Sequence, residues 1–176
     1  IEKNDYHNAA YPEGSEGWVN WTTNNTDIQE LNNCQDYENY KFISSNYANW
    51  QEVDALMDFS GKEATSVIAN YSSEDYDMCI ILQEFDADAT QNQGYNDWYI
   101  PACGQLAVIA VYLEEVDAVL AAIGGEEIPK MGTLSTTEYG TNDVYGVNFS
   151  YYKPYYGLYG KSSGTRLRFI RDINMN

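Results

Sequence analysis

A helix that has to stop, followed by a strand, sets the tightest limit on what this chain can become. The segment GQLAVIAVYLEEVDAVLAAIGG, residues 104–125, follows a turn at Pro101 and spaces Leu106, Ile109, Val116, Leu120 and Ile123 as one apolar helical stripe. Gly124-Gly125 ends it, because glycine takes the left-handed backbone of a helix cap without a Cβ penalty. Further on, VYGVNFS (144–150) puts Tyr145, Val147 and Phe149 on one side and Gly146, Asn148 and Ser150 on the other, the period of a strand. Earlier, SSEDYDMCIILQEF (72–85) opens on a capping-box spacing, Ser72 to Asp75. It then sets Tyr76, Cys79, Ile80 and Phe85 at helical intervals, so a helix is predicted at about 74–86. The closing RLRFIRDI (166–173) predicts a last strand with Leu167, Phe169 and Arg171 on one face. Together these segments give an α+β fold, a small twisted mostly antiparallel sheet with two helical regions.

The first 70 residues are rich in Asn, Asp, Tyr and Trp and poor in apolar runs, which predicts short strands and long loops rather than helices. No linker-like stretch divides the 176 residues, so residues 1–176 are expected to form a single domain, with 1–71 as a loop-rich N-terminal portion and 72–173 as its recognisable core.

Charge narrows the function classes. The formal net charge is -18, and residues 1–130 hold 24 of the 27 acids against only Lys3, Lys41, Lys62 and Lys130. Such a field repels nucleic acid and anionic membranes, so neither is an expected partner. Lys153, Lys161, Arg166, Arg168 and Arg171 outnumber Glu138, Asp143 and Asp172 in the remainder, so the tail is slightly basic. No apolar run is long enough to predict a membrane span. Ile1 in place of methionine implies a lost N-terminal piece, a removed export signal being one candidate. Cys34, Cys79 and Cys103 lack metal-type spacing and allow at most one disulfide.

Catalytic and metal patterns are thin. DADATQNQGYND (86–97) sets oxygen side chains at alternate positions as a calcium loop does, but Gln91 stands where the turn glycine belongs and Asp97 replaces the bidentate glutamate. A solvated loop leading into Trp98 is the expectation. His7 is the sole histidine, which leaves a histidine-based triad to an N-terminal residue. Glu114-Glu115 and Glu126-Glu127 read as solvated faces in so acidic a chain. Phosphate-binding glycine loops, HExxH and CxxC are absent from the sequence. The expectation is no catalytic residue, no metal and no cofactor. The glycosylation-type tripeptides at Asn20, Asn24, Asn70 and Asn148 matter only in a eukaryote.

The positive signal is YYKPYYGLYG, residues 151–160, with five tyrosines in ten positions broken by Lys153, Pro154, Gly157 and Gly160. A core uses such rings badly, since each buried phenol needs a partner. A binding surface uses them well, because tyrosine offers wide contact for two torsions, beside adaptable Gly, Ser and Asn. Tyr145 shares parity with Val147 and Phe149 and belongs to the core. The ligand-facing set expected is Tyr139, Thr141, Asn142, Asp143, Asn148, Tyr151, Tyr152, Tyr155, Tyr156 and Tyr159. The alternative is a structural ladder of rings packed on a neighbouring loop or partner domain.

Four motifs also carry a family resemblance. Asp97-Trp98-Tyr99-Ile100-Pro101 with Gln105-Leu106, then Leu134-Ser135-Thr136-Thr137-Glu138, then Val144-Tyr145-Gly146-Val147-Asn148-Phe149, and finally Arg166-Leu167-Arg168-Phe169-Ile170-Arg171 resemble, in order, segments of bacterial C-type-lectin-like domains. The likeness covers about 72–173, with a weaker echo in Gly61-Lys62-Glu63-Ala64-Thr65. Leu134 replaces a usual tryptophan and Gln105 a usual glutamate. Some relatives are bacterial surface and fimbria-associated proteins; others are targets of diversity-generating retroelements, whose variable ligand surface lies where the tyrosines fall here. The resemblance therefore implies non-catalytic binding of a protein or glycan ligand by an extracellular bacterial or phage domain. A structural subunit of a surface fibre is an alternative. The related formylglycine-generating enzymes use C-terminal cysteines, and none follows Cys103.

Overall fold

The computed structural model describes residues 18–22, 27–31, 34, 41–51, 53–71, 77–90, 92–150 and 152–172. Its strands are β1 (Trp18–Val19), β2 (Lys41–Phe42), β3 (Trp98–Tyr99), β4 (Gly132–Tyr139), β5 (Asp143–Asn148), β6 (Tyr155–Gly160), β7 (Thr165–Arg166) and β8 (Ile170–Arg171). Its helices are α1 (Asp54–Met57), α2 (Gly61–Ile68), α3 (Asp77–Ala87), α4 (Cys103–Val111) and α5 (Leu113–Ala122). Six strands form one sheet in the order β1-β7-β4-β5-β6-β2, antiparallel except for the β4–β7 pair, and β3 pairs with β8 separately. The class is α+β with a mostly antiparallel sheet.

The centre of the sheet is covered on both faces, which explains why β4 and β5 are buried at nearly every position. Leu134 and Val144 enter a core shared with α2, α3, Trp21, Trp98 and Phe169, whereas Tyr145, Val147 and Tyr156 enter a second core shared with α1, α4 and Leu120 of α5. Alternation along β4 and β5 thus sorts side chains between two cores rather than between core and water.

Several expectations held in detail. Gly124 has φ 68, and the Gly125 N–H donates to the Leu120 carbonyl at 2.8 Å, so the glycine pair does cap the helix. Tyr145, Val147 and Phe149 are all buried. One cap was not expected from the sequence: Gln105 Oε1 accepts the Ala102 N–H at 2.9 Å in the first turn of α4.

Others are corrected. The predicted long second helix is two helices, α4 and α5, parted at Tyr112, whose φ of -106 and ψ of 29 leave the helical region. The break turns the stripe: Leu106 and Leu120 stay buried, while Ile123 is 57% exposed. The Asn-rich N-terminal portion was expected to lack helices, yet it contains α1 and α2, whose Ala55, Leu56, Ala64 and Ile68 pack into the cores. These two helices are therefore added to the two expected helical regions by tertiary contact rather than by a long apolar period. The closing segment is not one strand. β7 joins the main sheet, β8 pairs with β3, and Leu167 and Phe169 are fully buried at the crossing between them. Arg171 lies apart from those two, half-buried, and holds Asp97 through Nε and Nη2, each at 2.9 Å. In the third helix Cys79 and Phe85 are buried as expected, but Ile80 is exposed. The capping spacing at Ser72–Asp75, with Tyr76, lies outside the described residues, as do His7 and Asn24.

Candidate ligand-binding surface

The ten residues expected to face a ligand do not form one patch. Tyr139 and Asp143 pair across the tip of the β4–β5 hairpin, with Thr141 and Asn142 exposed in its turn, whereas Asn148 pairs with Tyr155 at the far end of β5. Five strand steps separate the two ends, about 17 Å at the usual rise. Tyr139 also turns to the second core, edge-on to Tyr145 with ring centroids 6.0 Å apart.

The tyrosine run itself splits by parity. Tyr156 is only 2% exposed, because its register opposite Val147 sends it into the second core. It is removed from the surface set, since no ligand reaches it without displacing the sheet's packing. Tyr155 and Tyr159 point to the other face and are half-buried. Tyr151 lies outside the described residues. Tyr152 is 96% exposed, the most open of the large hydrophobic side chains described.

Tyr159 is placed by two glycines. A Cβ on Gly132 would meet its ring atoms at 2.6 to 2.9 Å, and a Cβ on Gly146 would meet them at 2.8 and 2.9 Å. Gly132 and Gly146 belong to neighbouring strands, and the absence of their side chains makes the bed on which the ring lies. The next row runs Phe42, Tyr155, Asn148, Gly132 across four strands. Phe42, which sequence reasoning missed, is 67% exposed, and the Lys153 ammonium lies 5.5 Å from its ring centre. Only its pairing to Tyr155 across an edge strand brings it here, which no local pattern signals. What the structure assembles is therefore Phe42, Asn148, Tyr152, Lys153, Tyr155 and Tyr159: rings of graded exposure with an amide and a cation at the same end of the sheet.

Beside this end lies a groove of about 410 Å³ between α5 and the approach to β4, lined by Glu114, Asp117, Glu127 and Lys130, with Ser150 from the same loop as Tyr152. Asp117 is committed to local structure, for one oxygen accepts the Ile128 N–H at 2.8 Å and the other holds Lys130. Glu114 and Glu127, read from sequence as solvated faces, thus also border a concavity. A second void, behind Thr133, Phe149 and Arg168, has about 10 Å³, room for about one water and no ligand.

The loop at 86–97 spends its oxygens on protein partners, Asp97 on Arg171 and others within the loop. Asp88 Oδ1 accepts both the N–H and the hydroxyl of Thr90, and Asn92 Oδ1 accepts the Gly94 N–H while its carbonyl accepts the Trp98 indole N–H at 2.7 Å. No group of three His, Cys, Asp or Glu suited to a metal occurs among the described residues. No helix among them is long and apolar enough to cross a membrane.

Among the described residues, the most strongly perturbed carboxyl sits below the surface. Glu138 and Lys161 form an ion pair with both side chains fully buried, and the Ile28 N–H also points at the carboxylate, at 3.3 and 3.4 Å. Burial pushes the Glu138 carboxyl up to about 7, against the pull of Lys161. The Lys161 ammonium lies 4.7 Å from the Trp21 ring centre, and its carbonyl accepts the N–H groups of Trp21 and Thr22. These bonds fasten the N-terminal segment to the sheet. Compared with family models, with curated proteins and with solved structures, the chain finds no match.

Proposed function

We propose that this protein is a non-catalytic binding domain of a bacterial cell surface or phage particle, which holds a protein or glycan ligand on the ring surface around Tyr152. The observation that carries the reading is the 96% exposure of Tyr152, whose chain neighbour Lys153 lies over the ring of the 67% exposed Phe42. Two large rings left in water at one end of a well-covered sheet cost solubility and gain nothing in the fold, so a partner is the economical explanation. The half-buried Tyr155, Asn148 and Tyr159 supply the fixed floor and hydrogen-bonding groups that such surfaces use.

A C-type-lectin-like frame fits this reading. The four resembling motifs fall on β3 and the start of α4, on β4, on β5, and on β7 through β8, in chain order on the six-stranded sheet and the separate β3–β8 pair. Retroelement-driven variation of the tail belongs to the same reading. A near-identical repeat of the DNA encoding residues 135–173, differing at adenines and lying beside a reverse transcriptase, is the expected mark in the gene's neighbourhood.

Glycan and protein arrays probed with the wild type and with Tyr152→Ala test the binding surface. A hit weakened by about 1 to 2 kcal/mol in the variant is expected for an anchor ring. Hits that bind wild type, Tyr152→Ala and Phe42→Ala equally would sink the assignment.

A further inference from the structure

We propose that Cys34 and Cys103 are a dithiol pair that closes into a disulfide in an oxidising environment, stapling the N-terminal part of the chain to the start of α4. No disulfide joins Cys34, Cys79 or Cys103 in this structure, and all three are buried. The Cys34 N–H donates to the Glu138 carbonyl at 3.0 Å, and the Cys103 N–H donates to the Thr137 hydroxyl oxygen at 2.9 Å. Two segments 69 positions apart (103 − 34) are thereby fastened to consecutive residues of β4. Both cysteines belong to the core that holds Tyr145 and Val147. Cys79 belongs to the core on the opposite face of the sheet, where its thiol lies 2.9 Å from the Ile68 carbonyl. Of the three possible pairings the sheet blocks two.

Electrostatics agrees with this placement. Burial first, then the charge of Asp58 and the nearness of Cys34, push the Cys103 thiol well above its ordinary range. Asp58 accepts the Thr137 hydroxyl at 2.6 Å, so it stands directly behind the partner of the Cys103 amide. Cys34 retains 8% of its surface and Cys103 none, which orders the chemistry. The Cys34 thiolate attacks one sulfur of a small disulfide such as oxidised glutathione, and the first glutathione leaves as a thiol that takes up a proton. Cys103 then gives up its proton and attacks the Cys34 sulfur, expelling the second glutathione as a thiol. Two protein thiols become one disulfide, and one external disulfide becomes two thiols.

The full chain equilibrated with oxidised glutathione, then denatured and titrated, tests the pair. The reduced chain should titrate three thiols and the oxidised chain one. Its digest should contain a single linked peptide joining Cys34 to Cys103, lighter than its two parts by two hydrogens. The oxidised chain should also melt at a higher temperature, an increase reversed by a dithiol reductant. Cys34→Ala should keep both remaining thiols under the same treatment. Three thiols after oxidation, glutathione retained on Cys34, or any link to Cys79 would overturn the proposal.

Discussion

The Lys161 ammonium and the Glu138 carboxylate meet where neither side chain has any exposure to solvent. Removing one partner of such a pair leaves a buried charge without compensation, which typically costs about 3 to 5 kcal/mol. Lys161→Met should therefore lower the unfolding free energy, measured by denaturant melts, by an amount in that range. The loss should be accompanied by release of the segment around Trp21 and Ile28, which Lys161 and Glu138 hold. Hydrogen exchange at the Trp21, Thr22 and Ile28 amides reads that release directly. Unchanged protection there would show that the pair does not fasten the segment.

The same carboxyl makes stability depend on pH. Its folded-state pKa is raised from 4.5 to about 7, so the folded chain holds a proton that the unfolded chain has already lost. The stabilisation linked to Glu138 is complete below about 4.5 and is lost as pH rises through about 7, at most about 3 kcal/mol. Urea melts of wild type and Glu138→Gln between pH 4 and 8 isolate it from the other carboxyls. The difference between the two proteins should change with pH in that window, and a constant difference would contradict the shift.

How much of this was legible in the sequence depends on the range of the interaction. The Gly124 cap and the core parity of Tyr145, Val147 and Phe149 follow from residues within a few positions of each other, and local chemistry displays them. The Glu138–Lys161 pair and the Phe42–Tyr155 row join segments that only the folded sheet brings together. Helix α2 was hidden for a related reason. Its buried stripe of Gly61, Ala64, Thr65 and Ile68 is short and only partly apolar, and a Cβ on Gly61 would strike the Ala102 amide nitrogen at 2.6 Å. Such a helix is specified by the neighbour it touches. The candidate surface was found in outline because tyrosine beside glycine is a strong compositional cue, but which tyrosines face out depends on the register of β6 against β5.

That register gives a stability test separate from any ligand. Tyr156→Ala should cost about 3 to 5 kcal/mol, as for other large buried rings, whereas Tyr152→Ala should stay within about 0.5 kcal/mol. A destabilised Tyr152→Ala would mean that its ring supports the fold, and weakened binding in that variant could no longer be assigned to contact.

The bed of Tyr159 separates two glycines that sequence alone makes equivalent. At Gly132 the three nearest atoms to a new Cβ all belong to the Tyr159 ring, which can swing aside; at Gly146 the nearest is the Thr133 carbonyl oxygen at 2.6 Å, fixed in the β4 backbone. Gly146→Ala should therefore be the costlier change, in the range of about 1 to 3 kcal/mol expected for overpacking, and removing the ring should not restore it. Gly132→Ala should be relieved in a Tyr159→Ala background, because the three nearest atoms it strikes are then gone. A thermodynamic cycle over the two positions and Tyr159 measures this: strong coupling is expected at 132, and weaker coupling at 146. Equal coupling at both would mean that the ring, rather than the β4 backbone, limits the space at Gly146.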